Sequence, residues 1–271
     1  MNMSSAADPT AMWNGYAGRV WTSEQEVLDD LFRPFEERLA SGVRPGTRVL
    51  DVGCGTGATS IAIAQRAGAC TGVDVSEPML ALARERAAKI GSRAEFVLAD
   101  AQTHAFEPAS FDDVVSRFGV MFFADPARAF ANLRRAAKGT LRVFVWRSPA
   151  ENPFFTAPER AAAPLLPPTP PRAPDAPGMY SLADEGRIRH ILEASGWSAI
   201  AIRPVDVPCT MPAESLTRFV ARMGSVGRAL ENADDALRAK VVAAAREAVE
   251  PFVHGADVRF TSACWDVSAS R

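Results

Sequence analysis

The stretch Val49-Leu50-Asp51-Val52-Gly53-Cys54-Gly55-Thr56-Gly57-Ala58 constrains the fold more than any other part of the chain. A short apolar run closes on an acid and gives way at once to three glycines at alternate positions. Such a run reads as a buried parallel strand, and the glycines allow backbone conformations and close approaches that side chains forbid. A strand that breaks into this kind of loop just before a helix lets a ligand lie against bare backbone N–H groups. Ligands of such loops are nucleoside carriers.

Spacing alone leaves the carrier open. Gly53, Gly55 and Ala58 also satisfy the G-x-G-x-x-G/A dinucleotide fingerprint, and a tight turn that serves only strand-to-helix packing is the structural alternative. Asp51 tips the balance, because a carboxylate aimed into the loop repels a pyrophosphate and attracts the ammonium of an amino acid. Two more acids follow at the ends of strand-like runs, Asp74 after Ala69-Cys70-Thr71-Gly72-Val73 and Asp100 after Phe96-Val97-Leu98-Ala99. The first lies at a suitable distance to accept both ribose hydroxyls, the second to accept from an adenine amino group. Singly, each reads as well as a solvated loop acid; three in register point to one ligand.

Along the chain, strands are predicted near residues 47–52, 69–75, 94–100, 111–118 and 141–147, with helices near 57–67, 77–90 and 125–137. This alternation builds an α/β, doubly wound parallel sheet with ligands at the C-terminal strand edges. Residues 23–39 carry Val27, Leu28, Leu31, Phe32, Phe35 and Leu39 at helical intervals, with Pro34 predicting a break or kink. Between Pro149 and Pro177 lie ten of the chain's 20 prolines, and this stretch reads as an extended crossing, either a stiff linker or a substrate lid. Ser181 is the predicted cap of a helix that ends at Gly196; a strand follows over 198–207, then a mostly helical stretch over 212–253 whose apolar face is interrupted by Gly224 and Gly227. The organisation expected is an N-terminal helical cap (1–40), a ligand-binding core (41–148), a Pro-rich lid (149–180) and the rest of the sheet (181–271) with a helical insertion over about 212–253.

The motifs Asp51-Val52-Gly53-Cys54-Gly55-Thr56-Gly57, Val73-Asp74-Val75-Ser76-Glu77-Pro78-Met79-Leu80, Leu98-Ala99-Asp100-Ala101 and Phe111-Asp112-Asp113-Val114-Val115-Ser116-Arg117-Phe118 resemble those of the class I S-adenosylmethionine-dependent methyltransferases. The likeness is to the small-molecule branch that includes the ubiquinone and menaquinone methyltransferases, and it covers residues 45–147, with Trp13-Asn14-Gly15 and residues 258–268 also similar. It implies a Rossmann-like sheet of seven strands with an antiparallel last strand. It implies too that the loop from Gly53 to Gly57 holds the methionine moiety, Asp74 the ribose, and Asp100 with Ala101 the adenine, whose face Met79 covers. Val75, Ser116, Arg117 and Trp21 join Asp51 as further cofactor contacts. One departure from the family pattern is the single glycine, Gly139, where such proteins carry a Pro-Gly-Gly turn; a positive φ at Gly139 is expected to keep that turn in abbreviated form.

S-adenosyl-L-methionine carries an activated methyl group and leaves as S-adenosyl-L-homocysteine, so the protein needs chiefly to align a nucleophile and exclude water. Arg117 can bind an anionic acceptor or the cofactor carboxylate, with a structural ion pair as its alternative. His104 can act as a base or merely cap its loop. Phe118, Phe122, Trp146, Phe154 and Phe155 are candidates for an apolar acceptor wall, or plain core; Trp13, Tyr16 and Trp21 can close over the cofactor or pack locally. The acceptor expected is small, planar or lipophilic, methylated on oxygen, with N- or C-methylation as the alternative. A nicotinamide-linked oxidoreductase and a non-catalytic adenosyl-ligand sensor are the readings from other classes.

Net charge is −2 with basic residues interspersed among acids, which disfavours nucleic acid as a partner. No stretch has the length and apolarity of a membrane span and the first residues do not resemble a signal peptide, so a cytoplasmic protein is expected. Pairing with a second copy stays open. Cys54, Cys70, Cys209 and Cys264 are widely spaced and read as reduced thiols, and His104, His190 and His254 have no metal-site spacing. No metal is expected.

Overall fold

The computed structural model of the protein describes residues 9–168, 173 and 175–271. Residues 1–8, the start compared above with a signal peptide, and residues 169–172 and 174 of the Pro-rich stretch lie outside the described residues. The eight strands are β1 (Arg48–Val52), β2 (Ala69–Asp74), β3 (Ala94–Leu98), β4 (Phe111–Arg117), β5 (Ala137–Trp146), β6 (Ser198–Pro212), β7 (Val253–His254) and β8 (Asp257–Ser270). Seven run side by side in the order β3-β2-β1-β4-β5-β8-β6, and the two-residue β7 pairs with β8. From β3 to β5 the neighbours are parallel; β8 is antiparallel to both β5 and β6. The sheet is thus the mostly parallel, Rossmann-like one that the alternation predicts, with β7 as an addition to the seven strands expected.

Helices α1 (Pro9–Asn14), α2 (Tyr16–Ser23) and α3 (Gln25–Gly42) precede the sheet. The crossovers are α4 (Ala58–Ala67), α5 (Glu77–Lys89) and α6 (Pro126–Ala136). Then come α7 (Pro153–Ala162), α8 (Glu185–Ala194), α9 (Leu216–Arg222), α10 (Gly224–Ala229) and α11 (Asp235–Ala248). The apolar stripe of α3 packs on α4 and on β5, where Phe35 meets Phe144 edge to face at 5.2 Å; α6 and α8 pack on each other and on β5 and β6. Leu50, Ile63, Leu80, Leu133, Leu141 and Phe144 fill the core between these layers. Burying a side chain of this size contributes about 1.5–3 kcal/mol.

Several local expectations are corrected. Helix α3 continues through Pro34 without the predicted break, because its buried face, packed against the sheet, outweighs one missing hydrogen bond. Gly139 lies inside β5 and has no positive φ, so α6 passes directly into the strand. Its glycine answers a different need: a Cβ there would stand 2.7 Å from the Asp112 carbonyl oxygen. His254, just past the helical stretch predicted over 212–253, is in β7. The long β6 runs past 207 to Pro212, and its prolines are tolerated because it is the edge strand.

The first part of the Pro-rich stretch is not the irregular crossing expected of it: residues 149–165 form a 3-10 turn (Pro149–Glu151), α7 and a second 3-10 turn (Ala163–Leu165). Pro149 and Pro153 occupy first-turn positions, where no N–H is needed. Buried Asn152 fixes the start: its amide donates to Ala263 O at 3.0 Å and accepts from Ala263 N at 3.0 Å. The side chain therefore replaces β5 as the partner of β8 just where β5 ends.

The cap of α8 is Asp184, whose carboxylate accepts from Arg187 N at 2.7 Å, and not Ser181, whose hydroxyl is buried against Met121 O at 2.6 Å. Replacing an N-cap acid by alanine removes one orphan-donor bond, so Asp184→Ala is expected to cost about 1 kcal/mol in urea unfolding. An unchanged midpoint would show that α8 is held by packing alone.

Candidate active site

All three acids singled out in the sequence stand at or just past the C-terminal ends of neighbouring strands. Asp51 is in β1, Asp74 ends β2 and Asp100 follows β3. The intervening loop turns on Gly53 (φ +67°), Gly55 (φ +55°) and Gly57 (φ +85°). Its backbone donors are not bare, however. Gly53 N and Cys54 N both donate to Val73 O, at 2.8 and 3.2 Å, and Gly57 N to Cys54 O at 3.0 Å. Gly55 N is taken by Asp74 Oδ2 at 2.8 Å. With those N–H groups turned onto the protein, this loop does not form the anion nest that a pyrophosphate requires.

What the loop offers instead is a pair of opposite charges. Asp51 is 1% exposed; its Oδ2 accepts from Ser60 Oγ at 2.6 Å, while its Oδ1 is buried without a hydrogen-bond partner. Burial lifts its carboxyl to about 6, against the Ser60 bond and the Arg117 charge, which pull the other way. Arg117, at the end of β4, has its Nη1 buried and likewise without a partner, and its guanidinium sits 5.7 Å from the Phe32 ring centre. Glu36 of α3 faces the same group: burial raises its pKa and the Arg117 charge lowers it. A free carboxylate oxygen and a free guanidinium nitrogen in one buried place are the complement of an amino-acid zwitterion.

Asp74 has each oxygen engaged once, Oδ2 by Gly55 N and Oδ1 by Ser76 N at 2.9 Å, which leaves further lone pairs on both. Burial raises its pKa and those backbone bonds oppose the rise. Val75 is half-buried, its carbonyl accepting from Asn14 Nδ2 at 2.8 Å. Met79 is buried in the first turn of α5, and its sulfur lies 3.8 Å from where a Gly55 Cβ would stand. Asp100 is exposed and turns onto its own loop through Gln102 N at 2.9 Å, next to buried Ala101. Ser116 is buried, and its hydroxyl donates to Val52 O at 2.7 Å, tying β4 to β1.

Aromatic rings form the remaining wall. Phe118 stacks on Trp146 at 4.6 Å, Trp146 meets Phe155 at 4.9 Å, and Phe32 touches Phe118 at 5.3 Å. Trp21 stacks on Phe32 at 6.4 Å, and Trp13 joins Trp21 to Phe122. Phe154 meets Phe155 of this wall at 5.2 Å and is itself core, stacked on Phe260 of β8 at 3.8 Å. His104 packs on Phe106 at 4.6 Å, and its carbonyl accepts from Asn132 at 2.9 Å, so neither of these His104 contacts is with the ring cluster.

Sequence reasoning missed several participants. Gly119 is one: a Cβ there would stand 2.5 Å from Val52 O and 2.7 Å from Gly53 Cα, and one on Gly53 would reach Gly119 Cα at 2.6 Å. Two loop backbones touch at this point, and Phe118 enters it with φ +68°, a strained conformation for a bulky residue. The signal available was a second glycine at a strand tip. Glu36 and Phe32 were hidden in the helical stripe of α3. Glu24 is another: 2% exposed, it is held by Arg218 Nε and Arg222 Nη1 of α9, each at 2.8 Å. With Tyr16 Oη donating to Arg222 O at 2.9 Å, this contact fixes the N-terminal helices onto the helices above the sheet.

Among the described residues no group of three or more His, Cys, Asp or Glu is placed to hold a metal, and no helix is long and apolar enough to cross a membrane. All four cysteines are buried thiols.

Residues 49–139 match the family model described as a methyltransferase domain. A demethylmenaquinone methyltransferase of Renibacterium salmoninarum is 30% identical over 177 residues, which is 62% of this chain and 73% of that protein. A ubiquinone/menaquinone biosynthesis C-methyltransferase of Ralstonia nicotianae is 35% identical over 133 residues, 45% of this chain and 55% of the relative. The chain spans only 40% of the length of the uncharacterized mycobacterial relatives that it matches at 36% identity. In fold, it is similar to the YcgJ protein of Bacillus subtilis, with a TM-score of 0.58 at 18% identity over 88% of this chain and 98% of the other. By the extent of the Renibacterium match, together with the domain at its centre, the chain belongs to the class I S-adenosylmethionine-dependent methyltransferases and resembles their quinone-methylating members.

Proposed function

We propose that this protein transfers a methyl group from S-adenosyl-L-methionine to an oxygen of a small, planar organic acceptor, leaving S-adenosyl-L-homocysteine. The observation that carries the reading is the pair of buried, unpartnered opposite charges at Asp51 Oδ1 and Arg117 Nη1. In this reading Asp51 holds the ammonium and Arg117 the carboxylate of the methionine end. Asp74 offers its remaining lone pairs to the ribose, and Asp100, Ala101, Val75 and Met79 surround the adenine. Ser116 keeps β4 and β1 in register beneath the site, and Trp21 closes it from the N-terminal side. The cofactor supplies a sulfonium-bound methyl group: a new carbon–oxygen bond forms as the carbon–sulfur bond breaks, its electron pair passing to sulfur and the acceptor proton to solvent.

The chain's own task is alignment and exclusion of water, a proximity effect worth up to about 7–11 kcal/mol. Phe118, Trp146, Phe155 and Phe122 supply the apolar wall, and their ring faces favour a cationic sulfur. His104 is not assigned the role of base, given its packing on Phe106. Transfer to a ring carbon is the second reading, favoured by the name of the Ralstonia relative. In this reading the acceptor is a small molecule and not a nucleic acid, because a net charge of −2 with interspersed basic residues supplies no concentrated positive surface, and four reduced thiols suit the cytoplasm.

Calorimetry is expected to find binding of S-adenosylmethionine and S-adenosylhomocysteine and none of NADH. Transfer of isotope-labelled methyl to a panel of phenols, followed by mass analysis of the product, separates oxygen from carbon. Tight NADH binding without heat from either sulfur compound would overturn the assignment, whereas cofactor binding with no methylated product from any acceptor would leave a sensor.

A further inference from the structure

Tyr180 follows the Pro-rich stretch and is pinned over the sheet edge from two sides. Gly178 N and Ser181 Oγ both donate to Met121 O, at 3.0 and 2.6 Å, and Met121 sits in the short turn Val120–Phe122 that follows Phe118. From the other side, the groups that act on the phenol are the Glu159 carboxylate and the buried Cys264 thiol. Cys264 lies directly opposite Trp146 in the β5–β8 register, and Glu159 is one helical turn beyond Phe155, the ring that touches Trp146 at 4.9 Å. Tyr180 packs against the core, yet its hydroxyl is buried with no hydrogen-bond partner. A buried phenolic oxygen left unpaired, in a segment tied to the turn after Phe118 and facing the thiol opposite Trp146, is a polar group awaiting a partner.

We infer that the Tyr180 hydroxyl is the hydrogen-bonding anchor for the acceptor, selecting planar aromatic molecules that carry a hydroxyl or carbonyl oxygen over hydrocarbons of the same shape. This rests on the methyltransferase reading above and specifies its acceptor side. Burial and the neighbouring acid both push the phenol pKa above its ordinary value of 10.0, so Tyr180 stays protonated at neutral pH and donates. A donor to the acceptor oxygen fixes that atom's position and favours its ionised form, which is the better nucleophile; Tyr180 is thus a specificity-determining and positioning residue, not a base. Sites built to bond a substrate hydroxyl discriminate strongly against analogues that lack it.

The test uses 2-naphthol and 2-methylnaphthalene, a pair of equal shape, titrated into the full chain loaded with S-adenosylhomocysteine. Wild type is expected to prefer the naphthol by about tenfold, the value of one hydrogen bond. Tyr180→Phe is expected to erase that preference while leaving affinity for 2-methylnaphthalene and for S-adenosylhomocysteine unchanged. No binding of 2-naphthol, no preference in wild type, a preference that survives in Y180F, or loss of S-adenosylhomocysteine binding by Y180F would each overturn the inference. Failure of wild type to bind S-adenosylhomocysteine at all would instead sink the underlying methyltransferase assignment.

Discussion

The substitution Asp51→Asn is expected to raise the stability of the ligand-free protein at neutral pH and, in the same molecule, to weaken binding of S-adenosylmethionine. The carboxyl of Asp51 is lifted from 3.8 to about 6 by burial, so the folded state holds its proton more tightly than the unfolded chain does. The sign follows from linkage: stability from this group is fully present below pH 3.8 and is lost as pH rises through about 6. At pH 7 the loss amounts to about 3 kcal/mol, which a neutral isostere recovers. Unfolding in urea should therefore show D51N more stable than wild type at pH 8 and the two nearly equal at pH 4. Equal stability at both values would mean that Asp51 ionises without penalty.

Ligand binding reverses the balance. An ammonium set against Asp51 Oδ1 favours the ionised carboxylate, so binding near pH 6 should release a proton and affinity should rise with pH through that region. Calorimetry in buffers of different ionisation enthalpy reads the proton directly. In D51N the release disappears and binding weakens by about 2 kcal/mol or more, roughly thirtyfold, as when one partner of a buried charge pair is removed. A pH-independent affinity would remove the zwitterion from this end of the site.

The second large effect separates two glycines of the same loop. Gly53→Ala is expected to cost about 3–5 kcal/mol and to leave little folded protein. It adds a Cβ 2.6 Å from Gly119 Cα at a φ of +67°, and neither backbone can retreat without pulling β1 from β4. Gly55→Ala meets nothing nearer than Met79 Sδ at 3.8 Å. Only the left-handed backbone is strained there, at about 1–2 kcal/mol, so G55A should fold while its methyl group narrows the space beside Met79. Thermal unfolding and S-adenosylhomocysteine titration of the pair distinguish a glycine kept for the fold from one kept for the ligand. A stable G53A, or a G55A with wild-type affinity, would contradict that division.

Much of the site's location was legible from local chemistry. A run such as Val49-Leu50-Asp51-Val52 can be buried only as a strand, and the glycines after it can be used only where side chains are excluded, so position along the chain translated directly into position on the sheet edge. The sequence could not tell that the loop's N–H groups are spent on Val73 and Asp74, since hydrogen-bond partners 19 residues apart meet only when β2 lies beside β1. Nor did composition reveal that prolines 149 and 153 begin helical turns, because proline density reports missing donors without saying whether they are needed.

The amino-acid order by itself determined the alternating sheet, the glycine-rich bend and the three acids at its tips. Periodicity, propensity and turn chemistry act within a few residues, and these features need nothing longer. Only the tertiary structure decided which buried atoms were left over. Asp51 Oδ1, Arg117 Nη1 and Tyr180 Oη come from β1, β4 and the segment before α8, and whether a polar atom is satisfied depends on every group that surrounds it. For the same reason only the fold shows that the Phe154 ring stacks on Phe260 while meeting Phe155 of the wall at 5.2 Å, and that the His104 ring packs on Phe106.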